Sequence, residues 1–352
     1  MEYQKTAASI RAADSVITKA AYAYHDKLKK PPGSLGRIES LGIRLAGIAG
    51  RCPPPVPSRK AVLVFAADHG VAAQAVSAYP REATVQMVAN VLQGGAAVSV
   101  LGRQVDARVV VVDAGVAGDL PEDSALVGGK VGPGTMDISA GPAMTSEQAV
   151  QALDLGVRVA TREIERGLDM LACGEVGVGN TTPATAIVAV FTGRPPASFT
   201  GIGTGIDAEA VRRKAALIAE AIARNAPDRA NGLDVLAKIG GFEIGAMAGA
   251  MLAGAAARIP VVLDGLISTS AALIAASIAP AAKDYFFAGH RSSEPSHTFA
   301  LSHLGLEPLL ILGMRLGEGT GAALAFGIIE AAARLMAEMA TLEGARVSAA
   351  RA

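Results

Sequence analysis

AVLVFAADHG, residues 61–70, is an apolar run closed by two polar residues and a glycine. Three other stretches share that plan: RVVVVDAG at Arg108–Gly115, DMLACGEVG at Asp169–Gly177 and PVVLDG at Pro260–Gly265. Continuous apolar runs of this length, alternating with helical patterns, read as strands buried on both faces of a parallel sheet. They predict an α/β fold, a three-layer domain around a parallel, Rossmann-like sheet. KDYFFAGH (Lys283–His290) and ASFTGIG (Ala197–Gly203) are candidates for two more strands.

Between these runs lie helical patterns: residues 81–101, 146–167, 207–225 and 233–258. A last helix is expected from Gly319 to about Glu343. The N-terminal helices precede a proline-rich linker, RCPPPVPSRK, at Arg51–Lys60. Having no strands of their own, the N- and C-terminal helices are expected to pack together as a small helical domain. That domain would comprise residues 1–59 and 319–352, beside a large α/β domain of residues 60–318.

The chain has 352 residues, of which 51% are hydrophobic, so a sizeable core is available. Aromatic residues are scarce at 4%, with no Trp, which does not suit a platform for stacking bases. Lys and Arg number 32, as do Asp and Glu, so no basic field steers the chain to nucleic acid or an acidic membrane. Cys52 and Cys173 form no CxxC pair and no disulfide framework. The N-terminus, MEYQKTAASIRAADSV, has no apolar signal core, and a cytoplasmic location is expected. Ile244–Ala257 is uncharged but too short to span a bilayer, and Gly265–Ala282 carries several hydroxyls and Pro280. Both are read as buried helices.

Ligands of open parallel sheets bind at the carboxyl ends of the strands. Those ends carry Asp68, His69, Asp113, Glu175 and Asp264. Any one of them could merely organise a turn, but the set points to a site. GEVGVGNTTPATA (Gly174–Ala186) follows a strand and opens a helix, offering backbone N–H groups to an anion. GIGTGID (Gly201–Asp207) has the same character and leads to Arg212, Arg213 and Lys214. Two such turns with a nearby cation suit a phosphate monoester, although glycines also serve tight turns and close packing.

Neither loop is GxxxxGK[ST] or GxGxxG, which disfavours nucleoside triphosphate hydrolysis and dinucleotide binding. His290, His297 and His303 lack the i, i+4 spacing of a helical zinc site, so they read as polar loop histidines or hydrogen-bond partners of a ligand. No metal is expected, and no G-x-S-x-G elbow marks a serine hydrolase.

MRLGEGTGAALA (Met314–Ala325) sets one acid, Glu318, between glycines at the start of an Ala-rich helix. Such an acid could offset the helix macrodipole. Flanked by glycines, it could also approach a ligand closely.

Taken together, KPPGSLGRIE (Lys30–Glu39), ADHGV (Ala67–Val71), VSAYP (Val76–Pro80), GEVGVGNTTPA, GIGTG, KIGGFEIGAMAGAML (Lys238–Leu252), VLDGLISTSAAL (Val262–Leu273), GHRSSEP (Gly289–Pro295) and MRLGEGTGAALA identify a family. The chain resembles the nicotinate-nucleotide:dimethylbenzimidazole phosphoribosyltransferases, with these blocks in family order along nearly its whole length. The resemblance implies transfer of the phosphoribosyl group of nicotinate mononucleotide to a benzimidazole nitrogen, with inversion at the anomeric carbon. Glu318 matches the family's catalytic proton acceptor and Glu175 a supporting carboxylate. By the same resemblance Gly177, Asn180, Thr181, Gly203, Lys214, Ser292 and Arg315 would hold phosphate and ribose. Ser77, Tyr79, Gln86 and Met87 would border the base. No cofactor is implied, and the family suggests a homodimer. A dinucleotide-dependent oxidoreductase and a non-catalytic nucleotide or azole sensor are the competing readings.

Overall fold

The computed structural model describes residues 1–341. Three helices come first, α1 (Glu2–Ser9), α2 (Ser15–His25) and α3 (Arg37–Ala49). Then follow β1 (Lys60–Ala67), α4 (Ala83–Leu92), α5 (Ala97–Gln104), β2 (Ala107–Gly115), β3 (Leu126–Gly128), α6 (Ser146–Glu165), β4 (Met170–Val176) and α7 (Thr181–Thr192). After these come α8 (Ala208–Asn225), α9 (Gly232–Ile239), α10 (Phe242–Ala256), β5 (Val261–Leu263), α11 (Leu266–Ile278), β6 (Phe286–Ala288), α12 (Pro295–Leu304) and α13 (Thr320–Glu338).

The strands form one parallel sheet in the order β3-β2-β1-β4-β5-β6. Every residue of β1 and β4 is buried, which is why, Lys60 and Glu175 apart, their sequences run apolar rather than alternating. From β1 the chain winds outward through β2 and β3, and from β4 it winds the other way through β5 and β6. The order therefore reverses between β1 and β4, the place where a crevice opens above an α/β sheet. Phe65 pairs there with Glu175 and Ala66 with Val176. The expected α/β fold with its parallel sheet is thus the observed one.

Small residues let the helical layer close tightly. A Cβ on Gly249 of α10 would strike the carbonyl oxygen of Leu153 in α6, and one on Gly156 would strike that of Ala246. The two backbones touch directly at these glycines. Helices α10 and α11 are 15 and 13 residues long, shorter than the roughly 20 residues a span needs, and are buried within the protein. A separate small core of Ala21, Ile43, Ala46 and Met336 joins α2, α3 and α13. Helix α1 lies elsewhere, against α6 and α10.

Several local readings change. ASFTGIG forms no strand: a 3₁₀ turn spans Pro196–Ser198, and the Thr200 hydroxyl donates to the Pro196 carbonyl, curling the backbone on itself. The three-residue β3 carries too short a pattern to be read from sequence. The helical pattern of residues 81–101 breaks at Gln93–Ala96, where Gly94 takes φ +78°. Likewise residues 233–258 divide at Gly240–Gly241 into α9 and α10. His297 and His303 lie on α12 rather than in a loop. The last helix ends at Glu338, and the remainder of the expected C-terminal segment, residues 342–352, lies outside the described residues.

Candidate active site

β4 delivers Glu175 to the sheet's reversal point, and the chain then turns through Gly177 and Gly179 into α7. A Cβ on Gly177 would strike the carbonyl of Ala67, so only glycine lets this turn sit against the end of β1. Asn180 Nδ2 donates to Glu175 Oε2 in a short contact. Thr181, the first residue of α7, accepts a hydrogen bond on Oγ1 from Lys214 Nζ at 2.7 Å. Burial lowers the Lys214 pKa to about 8, against the opposing pull of the Glu294 carboxylate. Gly203 donates its N–H to Glu294 Oε1 at 2.9 Å, and its carbonyl accepts from Arg315 Nη1 at 2.8 Å. Hydrogen bonds thus join Lys214 to Thr181, and Arg315 and Glu294 to Gly203, beside two glycine-rich turns of the kind that suits an anion.

These groups face a cavity of about 720 Å³. Gly177, Asn180, Thr181, Gly203, Ser292 and Arg315 line it, as do Tyr79, Gln86, Met87 and Glu175. A groove of about 830 Å³ between α1 and the ends of α9 and α11 is larger, but no charged side chain lines it. We place the site in the smaller cavity because the titratable and anion-binding groups converge there.

Three expected residues are not among those lining the cavity. Ser77 Oγ sits 3.1 Å from Oγ1 of the lining residue Thr204. Lys214, 1% exposed, supports the cavity through Thr181. Glu318, 6% exposed, follows the wall residue Gly317. Its Oε2 accepts the backbone N–H of Val98 at 3.4 Å, at the start of α5.

Glu318 adopts φ +62°, in the left-handed region that ordinary side chains rarely occupy, between Gly317 at +89° and Gly319 at +88°. Its backbone lies directly on β4, since a Cβ on Gly174 would strike the Glu318 carbonyl. Asp264, at the end of β5, holds the loop from the other side. It accepts backbone N–H groups from Gly319 at 3.2 Å, Gly321 at 2.7 Å and Ala322 at 3.0 Å. The strand end thus supplies the acceptor for the free N–H groups at the start of α13, a place normally served by a capping side chain.

Burial foremost raises the Glu318 pKa, with a further push from Asp264, while the Val98 N–H acts against it. The Glu175 pKa is raised well above the usual carboxylate range, again by burial first and then by the charges of Asp264 and Glu243. The Asn180 amide opposes that rise, and Glu318 adds a small one. Both acids are thereby shifted toward the range in which a carboxylate exchanges protons near neutral pH.

The Glu175 shift makes a stability prediction. A carboxyl whose pKa is raised on folding contributes favourably below its unfolded value of about 4.3, and that contribution is lost as pH rises through the folded pKa. Glu175→Gln is therefore expected to raise the thermal midpoint at pH 7 and to leave it nearly unchanged at pH 4. Thermal unfolding at both values checks this, and an equal shift at the two would sink it.

Of the strand-end acids named from sequence, only Glu175 lines the cavity. Asp113 Oδ1 accepts the N–H of Val116, organising a turn, and His69 Nε2 pairs with Glu243 Oε1 at 2.8 Å away from the wall. Asp68 accepts the Thr84 hydroxyl at 2.7 Å, and that same hydroxyl accepts the Val178 N–H at 3.2 Å. Thr84 therefore ties α4, which carries Gln86 and Met87, to the glycine-rich turn after β4. Nothing in the sequence singled it out. His290, read from sequence as a polar loop histidine or a hydrogen-bond partner of a ligand, lines the cavity, as does Glu294 of the same GHRSSEP block, which sequence reasoning missed. Among the described residues, no three His, Cys, Asp or Glu side chains are grouped as metal ligands.

Glycine-rich anion loops at the reversal point of a parallel sheet, beside two buried carboxyls, define an α/β enzyme site for a phosphorylated ligand. The family model described as phosphoribosyltransferase matches residues 10–347. A nicotinate-nucleotide–dimethylbenzimidazole phosphoribosyltransferase of Chloroflexus aurantiacus is 54% identical over 345 residues, 98% of each chain. One from Desulforudis audaxviator is 50% identical over 348 residues, covering 99% of this chain and 98% of its own. The crystal structure of the enzyme so named from Thermus thermophilus superposes with a TM-score of 0.91 at 46% identity, covering 96% of this chain and 100% of that one. The chain belongs to the nicotinate-nucleotide:dimethylbenzimidazole phosphoribosyltransferase family.

Proposed function

We propose that the protein transfers the phosphoribosyl group of nicotinate mononucleotide to 5,6-dimethylbenzimidazole or a related base, giving α-ribazole 5'-phosphate and nicotinate. The observation that carries this reading is the juxtaposition of the cradle formed by Gly177, Thr181, Gly203 and Ser292 with two buried carboxyls of raised pKa.

The bond from the anomeric carbon to the pyridinium nitrogen breaks with its electrons passing to that nitrogen, so the leaving group needs no protein acid. The new bond forms to an azole nitrogen on the opposite face, inverting the carbon. The azole N–H proton passes to Glu318, a role that typically contributes about 10²- to 10⁴-fold. Glu175 supports the positive charge developing on the ribosyl carbon and assists binding. Lys214 acts through Thr181, and Arg315 through Gly203, to hold the phosphate cradle in shape. Tyr79, Gln86 and Met87 receive the base, with Ser77 at the mouth. Holding two rings about one carbon supplies much of the remaining acceleration.

The same reading takes residues 60–318 as the large unit that binds nucleotide and base, and residues 1–59 and 319–352 as the small helical unit. The homodimeric state suggested by the resemblance and the cytoplasmic location expected from the N-terminal sequence belong to this proposal as well.

Purified protein given nicotinate mononucleotide and dimethylbenzimidazole is expected to form α-ribazole phosphate and nicotinate in equal amounts, followed by chromatography. Binding of both compounds with no transfer to any of several azoles would overturn the reaction and favour a sensor.

A further inference from the structure

Ser292 belongs to the proposed phosphate cradle and lies in the turn between β6 and α12. Its two neighbours are held by one segment: Arg291 donates its N–H to the Leu310 carbonyl at 2.8 Å, and Ser293 donates to that of Met314 at 2.9 Å. The Ser292 N–H goes elsewhere. It donates to Nδ1 of His297, at 2.9 Å, in the first turn of α12. A buried N–H left unpaired is costly, so this ring does for Ser292 what a backbone carbonyl does for its neighbours.

A second contact fixes the ring. His297 is fully buried, and its Nε2 lies 2.9 Å from the Thr269 hydroxyl of α11. A backbone N–H only donates, so Nδ1 is the acceptor and the ring hydrogen sits on Nε2, where Thr269 receives it. The imidazole is therefore neutral, because an imidazolium has no accepting nitrogen. Its pKa is lowered to about 3, by burial first and then by His290, against the opposing charge of Asp264.

Ser292 Oγ accepts the Glu294 N–H at 3.2 Å, which uses a lone pair and leaves the hydroxyl hydrogen for a ligand. Ser292 lines the cavity and His297 does not. Any effect of the ring on substrate thus passes through Ser292.

We infer that His297 is a positioning residue: its ring, anchored on Thr269, holds the Ser292 backbone so that the serine hydroxyl meets the phosphate of the nucleotide. This inference rests on the proposed transferase reading.

Two variants separate the bonds of the ring. His297→Asn sets an amide oxygen near the place of Nδ1 and keeps the acceptor for Ser292; His297→Gln reaches toward Thr269 and loses it. Calorimetric binding of nicotinate mononucleotide is expected to stay within about threefold of the parent in the first and to weaken about tenfold in the second, the scale of one hydrogen bond to a charged group. Dimethylbenzimidazole should bind all three proteins alike. In a Ser292→Ala background, His297→Gln should cost less than about twofold, since the two residues act as one unit. Equal affinity of the Asn and Gln variants, a tenfold loss that persists in Ser292→Ala, or weaker binding of the base as well would each overturn the positioning role. Nitrogen-15 NMR of the parent requires no variant to fold. It is expected to show His297 as the neutral Nε2–H tautomer between about pH 5 and 8, and a charged or Nδ1–H ring would also overturn the role. A parent that shows this coupling yet makes no α-ribazole phosphate would overturn the reaction and leave the role standing.

Discussion

Glu318→Gln is expected to slow phosphoribosyl transfer at least about a hundredfold while both substrates still bind. Glutamine preserves the volume and an acceptor for the Val98 N–H but cannot take the azole proton. The loss should fall on kcat, since the interaction removed matters in the transition state. The parent should also show an acid limb in its pH profile. A general base works only when unprotonated, and burial raises the Glu318 pKa, so this limb should lie above the ordinary carboxylate value of about 4.3. In the glutamine variant the limb should disappear. Steady-state kinetics across pH, with substrate binding measured separately, distinguish this from a binding defect. An unchanged kcat would rule Glu318 out as the base.

Asp264→Ala is expected to damage both stability and rate. It strips the acceptor from the N–H groups of Gly319, Gly321 and Ala322 at a buried helix start. Each buried donor left unsatisfied costs about 1–3 kcal/mol, although the three will not simply add. The same bonds hold Glu318 in its left-handed conformation, so the acid should drift from its working position. A displacement of that kind can cost on the order of 10- to 100-fold in rate. Asp264→Asn, which keeps one acceptor oxygen, is expected to regain much of the stability. It also removes a charge that raises the Glu318 pKa, so its acid limb should move to lower pH than the parent's. A merely structural role would leave that limb in place. Thermal unfolding and pH profiles of both variants decide the matter.

The central strands were legible because the environment of a doubly covered parallel strand is uniform. Each residue of β1 is buried and all but Lys60, which pairs with Glu330, are apolar, so the code is continuous apolarity, and length plus a polar terminus completes it. The glycine-rich turns were legible for a related reason, since a close backbone approach such as that of Gly177 to Ala67 leaves no other residue possible. ASFTGIG misled because a short apolar run has the same composition whether it extends or curls, and only hydrogen bonding decides. The split of one helical pattern into α9 and α10 was obscured because Gly240 and Gly241 sit amid residues that are helical on either side.

Within the site, the sequence by itself determined which residue types are present and which loops carry them: Glu175 and Glu318 among glycines, two anion turns, and a buried-strand sheet to display them. Only the tertiary structure decided that Asp264 anchors the Glu318 loop across 55 residues, that Thr84 bridges Asp68 and Val178, and that His290 stands unpartnered beside α11. Local sequence encodes local conformation and burial, because periodicity and glycine act within a few residues. Partners that meet across the reversal point of a sheet are set by strand order and packing, and no spacing along the chain records them.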